Sequence, residues 1–263
     1  MFAPLQRLAR LPQVGSGGRV VILEICVDDA AGLASAVAGG ANRIELCASL
    51  DCGGLTPSSG QMRQAAGVPI PVIALIRPRA GDFRYRADEW AVMADDIAAA
   101  AAAGLAGVAI GACLDDGRID EPGLARLIAH ATARFSPRRP SLTLHRAADV
   151  MTDADALIDA ACRLGFSRIL TSGGAPRAIE GLARIAGMTR RADGRIAIMP
   201  GGGLSVENVA TIARATGARE FHASARSARA SGQAIDRLGF HASAATTDRA
   251  KVEALARTLR GVA

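Results

Sequence analysis

Residues 196–209 read IAIMPGGGLSVENV. An apolar run ends at Pro200, three consecutive glycines follow at 201–203, and a helical pattern then begins. This order predicts a strand, a tight turn and a helix N-terminus, with Ser205 as the capping residue. Glycines accept positive φ angles and let backbone N–H groups approach a ligand, so the turn suits a phosphate or a carboxylate. The alternative is that the glycines only make room for a tight turn.

The chain from Arg19 onward alternates short apolar runs with longer, alanine-rich helical stretches. This alternation is typical of βαβ units around a parallel sheet. Eight units are visible, and the predicted strands are 20–26, 42–47, 70–76, 106–110, 141–145, 168–171, 195–199 and 219–224. Similar phrases precede several strands, such as AGGANRI at 38–44 and ATGARE at 215–220, which indicates a repeated unit.

The length of 263 residues is usual for one (β/α)8 barrel. We therefore predict an α/β fold, a single (β/α)8 TIM barrel over residues 19–263. Residues 1–18 end in GSGG and are predicted to form a flexible N-terminal extension.

Composition excludes several classes of function. The net charge of +6 comes from scattered arginines, and only 3% of residues are aromatic, so we expect no nucleic-acid partner. Lys251, the single lysine, lies in the last predicted helix rather than at a strand end, which argues against a Schiff-base aldolase. No apolar run approaches the ~18 residues of a membrane span, so we expect no membrane partner.

The five cysteines have no paired spacing, and the N-terminus lacks an apolar signal sequence. Both features are typical of proteins in a reducing compartment. We therefore expect a cytoplasmic location.

Polar residues recur two positions apart near the predicted strand ends, so each pair faces the same side of its strand. The pairs are Glu24 with Cys26, Glu45 with Cys47, Thr143 with His145, and His222 with Ser224. Active sites of TIM barrels lie at the carboxyl ends of the strands. Buried carboxylates require a neutralising charge, and we predict that Arg77, at the end of the third strand, neutralises Glu24 or Glu45. The alternative is an ion-pair cluster that only fills the barrel.

Two sets of candidate site residues follow from this pattern. The candidate catalytic groups are Glu24, Glu45, Arg77 and His145. The candidate anion-binding residues are Arg79, Arg146, Ser172, Gly201, Gly202, Gly203, His222, Ser224 and Arg226. Arg79 belongs to a basic loop, residues 77–86, which we interpret either as a lid over an anionic ligand or as a solvated loop.

Eight motifs together resemble the CutC family, known as copper homeostasis proteins. They are LEICVDD (23–29), GGANRIELCASL (39–50), GGLTPSSG (53–60), IRPRAGDF (76–83), LHRAAD (144–149), ILTSGG (169–174), IMPGGGL (198–204) and EFHASARS (220–227). The resemblance implies a (β/α)8 barrel, a cytoplasmic homo-oligomer and Cu(I) binding at Cys26 and Cys47. Thiolates are soft ligands that suit Cu(I). No organic cofactor is indicated.

Three functions remain open from the sequence. The chain is a copper-binding homeostasis protein, an enzyme acting on a small anionic metabolite, or a non-catalytic interaction scaffold. The two cysteines also have a plain alternative, because most free cysteines are small buried apolar residues.

Overall fold

The computed structural model of the protein describes residues 21–228 and 245–262. The predicted extension, residues 1–18, lies outside the described residues. Eight parallel strands alternate with helices along the chain. The strands are β1 (Ile22–Val27), β2 (Arg43–Leu46), β3 (Val72–Leu75), β4 (Gly107–Ile110), β5 (Ser141–Leu144), β6 (Arg168–Thr171), β7 (Ala197–Pro200) and β8 (Glu220–Ala223).

The helices of the described residues lie between these strands and after the last one. They are α1 (Ala30–Ala38), α2 (Ser59–Ala65), α3 (Ala87–Ala103), α4 (Glu121–Phe135), α5 (Ala154–Arg163), α6 (Leu182–Ala192), α7 (Val209–Thr216) and α8 (Arg249–Arg260). Short 3-10 helices cover Leu50–Cys52 and Arg146–Val150. None of the helices within 21–228 and 245–262 is long and apolar enough to cross a bilayer.

The sheet is a nearly closed barrel. Its strand order is β7-β6-β5-β4-β3-β2-β1-β8, and a parallel bridge between Gly201 and His222 joins the ends of β7 and β8. The predicted (β/α)8 fold class is confirmed, and the predicted strand bounds agree with the observed ones to within two residues.

Alternating residues of the strands face two different environments. Leu23, Ile25 and Val27 of β1 join a buried apolar cluster that includes Leu33 of α1 and Val252 of α8. The residues between them on β1 carry polar side chains into the barrel. The alternation that predicted the strands therefore also separates the helix-packing layer from the polar interior.

The turn after β7 differs from its prediction. Helix α7 begins at Val209 with Asn208 as its N-cap, so the prediction that Ser205 caps a helix directly after the glycines is wrong. The side chain of Asn208 explains the delay, because its Oδ1 accepts the Ser205 N–H at 2.9 Å and its Nδ2 donates to the Gly203 carbonyl at 2.8 Å. These bonds hold the chain in turns before the helix starts.

A small antiparallel ribbon follows the barrel strands. Strand β9 (Arg226–Ala228) pairs with β10 (Ala245–Thr247), and Asp248 caps the last helix directly after β10. The ribbon continues from the carboxyl end of β8, so it lies beside the mouth of the barrel.

Candidate functional site

A cavity of about 270 Å³ lies where the carboxyl ends of the barrel strands meet. It is lined by Cys26, Glu45, Leu50, Gly53, Leu75, Arg77, Phe83, His145, Arg146, Leu170, Gly202, Gly203, Leu204, His222, Ala223, Ser224 and Arg226. Small-molecule sites usually measure ~300–1,000 Å³, so this cavity suits a small metabolite or an ion. Its position is the usual place of a TIM-barrel active site.

Glu24 lies inside the barrel, outside the cavity lining, and is only 1% exposed. Arg43 donates to its Oε2 through Nε, and its Oε1 lies 2.8 Å from Nδ1 of His222. Burial alone raises the pKa of Glu24, but Arg43 and His222 outweigh that effect and lower it to about 2. Glu24 is therefore an ionised group that holds other side chains in place.

The prediction that Arg77 neutralises Glu24 or Glu45 is wrong. The guanidinium of Arg77 donates to three backbone carbonyls in the loops after β2 and β3, at 2.9–3.1 Å. Arg43 takes the predicted role because the register of β1 and β2 places it directly opposite Glu24. Arg77 follows β3 at the mouth of the barrel, above this pairing level.

A second acidic group connects two interior arginines. Glu220 Oε2 accepts from Nη2 of Arg43 at 2.6 Å and from Nε of Arg168 at 2.9 Å. Arg168 also donates to the Thr143 hydroxyl at 3.0 Å. Neither arginine was predicted as a site residue. Arg43 lies two residues before Glu45 on β2 and therefore faces the same side of the strand, which is the pattern that identified Glu45.

His222 contacts both carboxylates of the interior. Its Nδ1 is bound to Glu24, and its Nε2 lies 3.8 Å from Oε2 of Glu45. Burial lowers the pKa of His222, but its electrostatic interactions with Cys26 and Glu45 and its bond to Glu24 raise the pKa well above its ordinary value. Burial raises the pKa of Glu45.

The two cysteines of the predicted copper site occupy different environments. The register places Glu45, not Cys47, opposite Cys26. Cys26 lines the cavity, and its sulfur lies with a Glu45 carboxylate oxygen and a His222 ring nitrogen in a cluster whose atoms are all within 4.8 Å of one another. Cys47 lies outside the lining, with its Sγ 3.5 Å from Oε2 of Glu45. Burial and the charge of Glu45 raise the pKa of Cys47 well above its ordinary value.

Three lining residues carry buried polar atoms that have no hydrogen-bond partner. These atoms are Glu45 Oε1, Arg77 Nε and His145 Nε2, and they are three of the five such side-chain atoms among the described residues. Native proteins leave few buried polar groups unpaired, so each one needs an explanation. Three of the five therefore belong to residues that line one cavity.

His145 is held as a neutral hydrogen-bond donor. Its Nδ1 accepts the Ala147 N–H at 3.1 Å, so the proton of the neutral ring resides on Nε2, which has no hydrogen-bond partner among the described residues. Burial and the nearby charge of Arg77 lower its pKa to about 3. Gly111 makes room for the ring, because a Cβ at that position would lie 2.6 Å from Nδ1.

The lining also contains the glycine turn and two paired arginines. Gly202, Gly203 and Ser224 line this side together with Arg146 and Arg226. Nε of Arg146 donates to Asp149 at 2.7 Å and its Nη2 to the Ser172 hydroxyl at 2.8 Å, whereas Nη1 of Arg226 donates to Asp51 at 2.8 Å. Both arginines therefore already have carboxylate partners.

Asp149 organises the loops after β5 and β6. Besides Arg146, its carboxylate accepts hydrogen bonds from the Thr171 hydroxyl and from the backbone N–H of Ser172 and Gly174. Asp149 belongs to the LHRAAD motif, but its role was not predictable from the sequence, because no spacing rule connects it to a strand that follows later in the chain.

Three predicted ligand residues lie outside the lining. The Ser172 hydroxyl forms hydrogen bonds with Arg146 and Asp149. Gly201 is a packing glycine, since a Cβ there would lie 2.4 Å from Leu170 and 3.2 Å from His222. Arg79 binds carboxylates of its own loop and of α3, at Asp82 and Glu89.

Three arginines of the basic loop are paired with carboxylates of the loop and of neighbouring elements, and Arg79 does not line the cavity. Arg84 likewise pairs with Asp82 and Asp115, and Arg86 with Asp88. The loop contributes Phe83 to the cavity wall, a residue that sequence reasoning missed.

Comparison with known proteins identifies the family. The sequence model of the CutC family matches residues 21–227. The chain belongs to the CutC family. A CutC family protein of Sinorhizobium medicae is 45% identical over 245 residues, which cover 92% of this chain and 98% of the relative. One from Agrobacterium fabrum is 51% identical over 204 residues, or 78% of this chain and 79% of the relative.

A solved CutC structure agrees with the barrel. The crystal structure of the putative copper homeostasis protein CutC from Streptococcus agalactiae has a TM-score of 0.72 and 30% identity, and the match covers 78% of this chain and 99% of that one. All residues that line the cavity fall within the matched region 21–227. The cavity is thus built from the CutC part of the chain.

Proposed function

We propose that this CutC chain is an enzyme that binds a small anionic metabolite in the cavity at the mouth of the barrel and catalyses the transfer of a proton to or from that metabolite. One observation carries the proposal. Glu45 and His145 both line the cavity, and each has a buried polar atom, Oε1 of Glu45 and Nε2 of His145, that has no hydrogen-bond partner among the described residues.

These two groups have complementary chemistry. A carboxylate beside a bound substrate accepts a proton as a general base, which contributes ~10²–10⁴-fold to a rate. A neutral imidazole N–H donates a hydrogen bond to the oxygen on which negative charge develops. Glu45 and His145 together therefore suit proton abstraction next to a carbonyl group.

The charge of the cavity selects the ligand. Arg77, Arg146 and Arg226 line it, and the glycine turn of Gly202 and Gly203 forms part of one wall. Guanidinium groups and exposed backbone amides both favour anions. A phosphate or carboxylate bound at this mouth remains our expectation for the natural ligand.

Exchange of substrate protons with solvent tests the proposal. The full chain is incubated in D₂O with pyruvate, 2-oxobutyrate or dihydroxyacetone phosphate, and proton NMR follows the loss of the signals next to each carbonyl. We expect the parent to accelerate exchange for at least one compound and Glu45→Gln to lose ~10²–10⁴-fold of that rate. Glu253→Gln, on the exposed face of α8, is the matched control. Exchange at the uncatalysed rate with all three compounds contradicts the proposal.

Copper binding is the second candidate function, and a separate observation favours it. The sulfur of Cys26, a carboxylate oxygen of Glu45 and a ring nitrogen of His222 form the only cluster of three metal-binding groups among the described residues. Thiolate and imidazole are ligands that copper accepts. Cys26 and His222 fit Cu(I) better than Cys26 and Cys47, because the Cys47 thiol is directed at Glu45 and lies outside the cavity lining.

Location and assembly belong to the same proposal. All five cysteines are free, which supports a reducing compartment such as the cytoplasm. The predicted homo-oligomer is tested by light scattering on the purified chain.

A further inference from the structure

We propose that Arg77 and His145 form a carboxylate-binding subsite, in which Nε–H of Arg77 and Nε2–H of His145 each donate to one oxygen of the ligand. The inference rests on the proposed function and names its substrate class, a small carboxylic acid that carries a carbonyl or hydroxyl group.

Among the residues that the structure describes, Arg77 is a buried cation without a carboxylate partner. It is 7% exposed, and its terminal nitrogens donate to the carbonyls of Cys52, Gly54 and Gly81. Within residues 21–228 and 245–262, none of its hydrogen bonds or ion pairs involves a carboxylate. An unpaired buried charge is costly, and three carbonyls supply only partial negative charge. The anion that completes the site must therefore come from the ligand.

The two donors border the same aromatic side chain. The guanidinium carbon of Arg77 lies 5.1 Å from the centroid of the Phe83 ring, and the rings of Phe83 and His145 have centroids 5.1 Å apart. Arg77 and His145 also interact electrostatically, since the charge of the first contributes to the lowered pKa of the second. The two residues that carry the unpartnered N–H groups thus both pack against Phe83 in the cavity wall.

The number of free donors selects a carboxylate over a phosphate. Arg146 and Arg226, the other arginines of the lining, are paired with Asp149 and Asp51. One unpaired cation and one neutral donor match the charge and the two oxygens of a monoanionic carboxylate. A phosphate dianion has three oxygens and a second negative charge for which Arg77 and His145 provide no partner.

The remaining unpartnered atom orients the rest of the ligand. Oε1 of Glu45, an acceptor without a partner among the described residues, belongs to a side chain that lines the same cavity. A ligand whose carboxylate binds Arg77 and His145 can present a hydroxyl or an acidic C–H to Glu45. This arrangement accounts for all three unpartnered lining atoms with one small molecule.

Histidine NMR on the full chain provides the test. The protein has four histidines, so ¹⁵N-histidine labelling gives few signals, and His145→Gln assigns the one of interest. Sodium pyruvate is titrated in at constant ionic strength, and inorganic phosphate is titrated in separately. We expect pyruvate to shift the His145 Nε2 signal saturably and phosphate to leave it in place.

Two arginine variants locate the anion. In Arg77→Gln we expect the dissociation constant for pyruvate to rise about 10- to 100-fold, because a charged hydrogen bond is lost. Arg79→Gln, in the same loop but outside the lining, is the control and should bind as the parent does. A loss in Arg146→Gln but not in Arg77→Gln places the anion at the glycine turn and overturns the inference. So does a saturable His145 shift with phosphate alone, or none with pyruvate. The pyruvate and phosphate titrations of the parent protein test the inference even if Arg77→Gln does not fold.

Failure of the subsite and failure of the proposed function are distinguishable. If pyruvate binding depends on Arg77 but deuterium exchange is not accelerated, the subsite is supported and the proposed proton transfer is contradicted. If the parent accelerates exchange but Arg77→Gln binds pyruvate as tightly as the parent does, the subsite is contradicted and the proposed proton transfer is still supported.

Discussion

Oε1 of Glu24 lies 2.8 Å from Nδ1 of His222, across the junction where β1 pairs with β8. This bond orients the imidazole so that its other nitrogen, Nε2, is directed at Glu45 and the cavity. A carboxylate that orients a histidine in this way is common in catalytic and metal sites. The interior ion pairs therefore support the groups at the mouth rather than only filling the barrel.

Loss of Arg43 should destabilise the fold strongly. Arg43→Ala removes a buried partner of both Glu24 and Glu220, whose carboxylates would remain inside the barrel. Breaking a buried pair typically lowers the free energy of unfolding by ~3–5 kcal/mol. Urea denaturation followed by circular dichroism measures the change.

Arg79→Ala is the control for this measurement, because Arg79 forms more exposed ion pairs. Such pairs contribute about 1 kcal/mol or less. An Arg43→Ala variant as stable as Arg79→Ala would show that water or rearranged groups replace the buried pair.

His145 should make stability depend on pH. Its pKa in the folded protein is about 3, against an ordinary value of 6.5, because of burial and the charge of Arg77. As the pH falls below 6.5, His145 takes up a proton in the unfolded chain but stays neutral in the folded protein. Stability is therefore lost progressively down to about pH 3. This one group contributes a slope of about 1.4 kcal/mol per pH unit within that window.

The comparison is between the parent and His145→Gln, with urea denaturation at several pH values from neutral down to about 4.5. We expect the difference in stability between the two proteins to shrink or reverse as the pH falls, because only the parent carries the His145 slope. Parallel pH profiles would mean that His145 takes up its proton at about the same pH in the folded protein as in the unfolded chain.

The sequence predicted the barrel and most of the cavity wall for one physical reason. Strand side chains alternate, so Glu45, His145 and Ser224 could be placed on inward faces near strand ends from their positions alone. What alternation does not reveal is the register between strands. For that reason Arg77 was expected to pair with Glu24 or Glu45, whereas Arg43 stands opposite Glu24.

Loop side chains were the second source of error. Arg79 was expected at the ligand because its loop is basic, but acidic residues of the same loop and of α3 bind it. Phe83 reaches the cavity instead. Loop conformations depend on such competing contacts, which spacing in the sequence does not reveal.

Gly111 should position the imidazole of His145. In Gly111→Ala the new methyl group would meet Nδ1 of His145 at 2.6 Å and the Cβ of Ala147 at 2.9 Å, so the ring must move. Overpacking of this kind costs ~1–3 kcal/mol. We expect a displaced His145 NMR signal and weaker pyruvate binding. Gly60→Ala, where the nearest atom is 3.7 Å away, should change neither, and equal behaviour of the two variants would exclude the contact.

Cu(I) binding should depend more on Cys26 than on Cys47. Only Cys26 lines the cavity and adjoins His222 within the three-residue cluster. In competition with a Cu(I) chelator under reducing conditions, we expect one equivalent to bind the parent and Cys26→Ser to bind at least about 10-fold more weakly. Cys113→Ser, a buried cysteine outside this cluster, is the control. Equal losses in Cys26→Ser and Cys47→Ser would restore the two-thiolate site, and no loss in any variant would place the metal elsewhere.

A crystal structure of the full chain grown in sodium malonate tests most directly whether the mouth cavity is a ligand site. We predict density for a carboxylate group inside the cavity, with one oxygen about 2.7–3.1 Å from Nε of Arg77 and the other at a similar distance from Nε2 of His145. A cavity that contains only water at high malonate concentration, with malonate bound solely on the outer surface, would contradict the account.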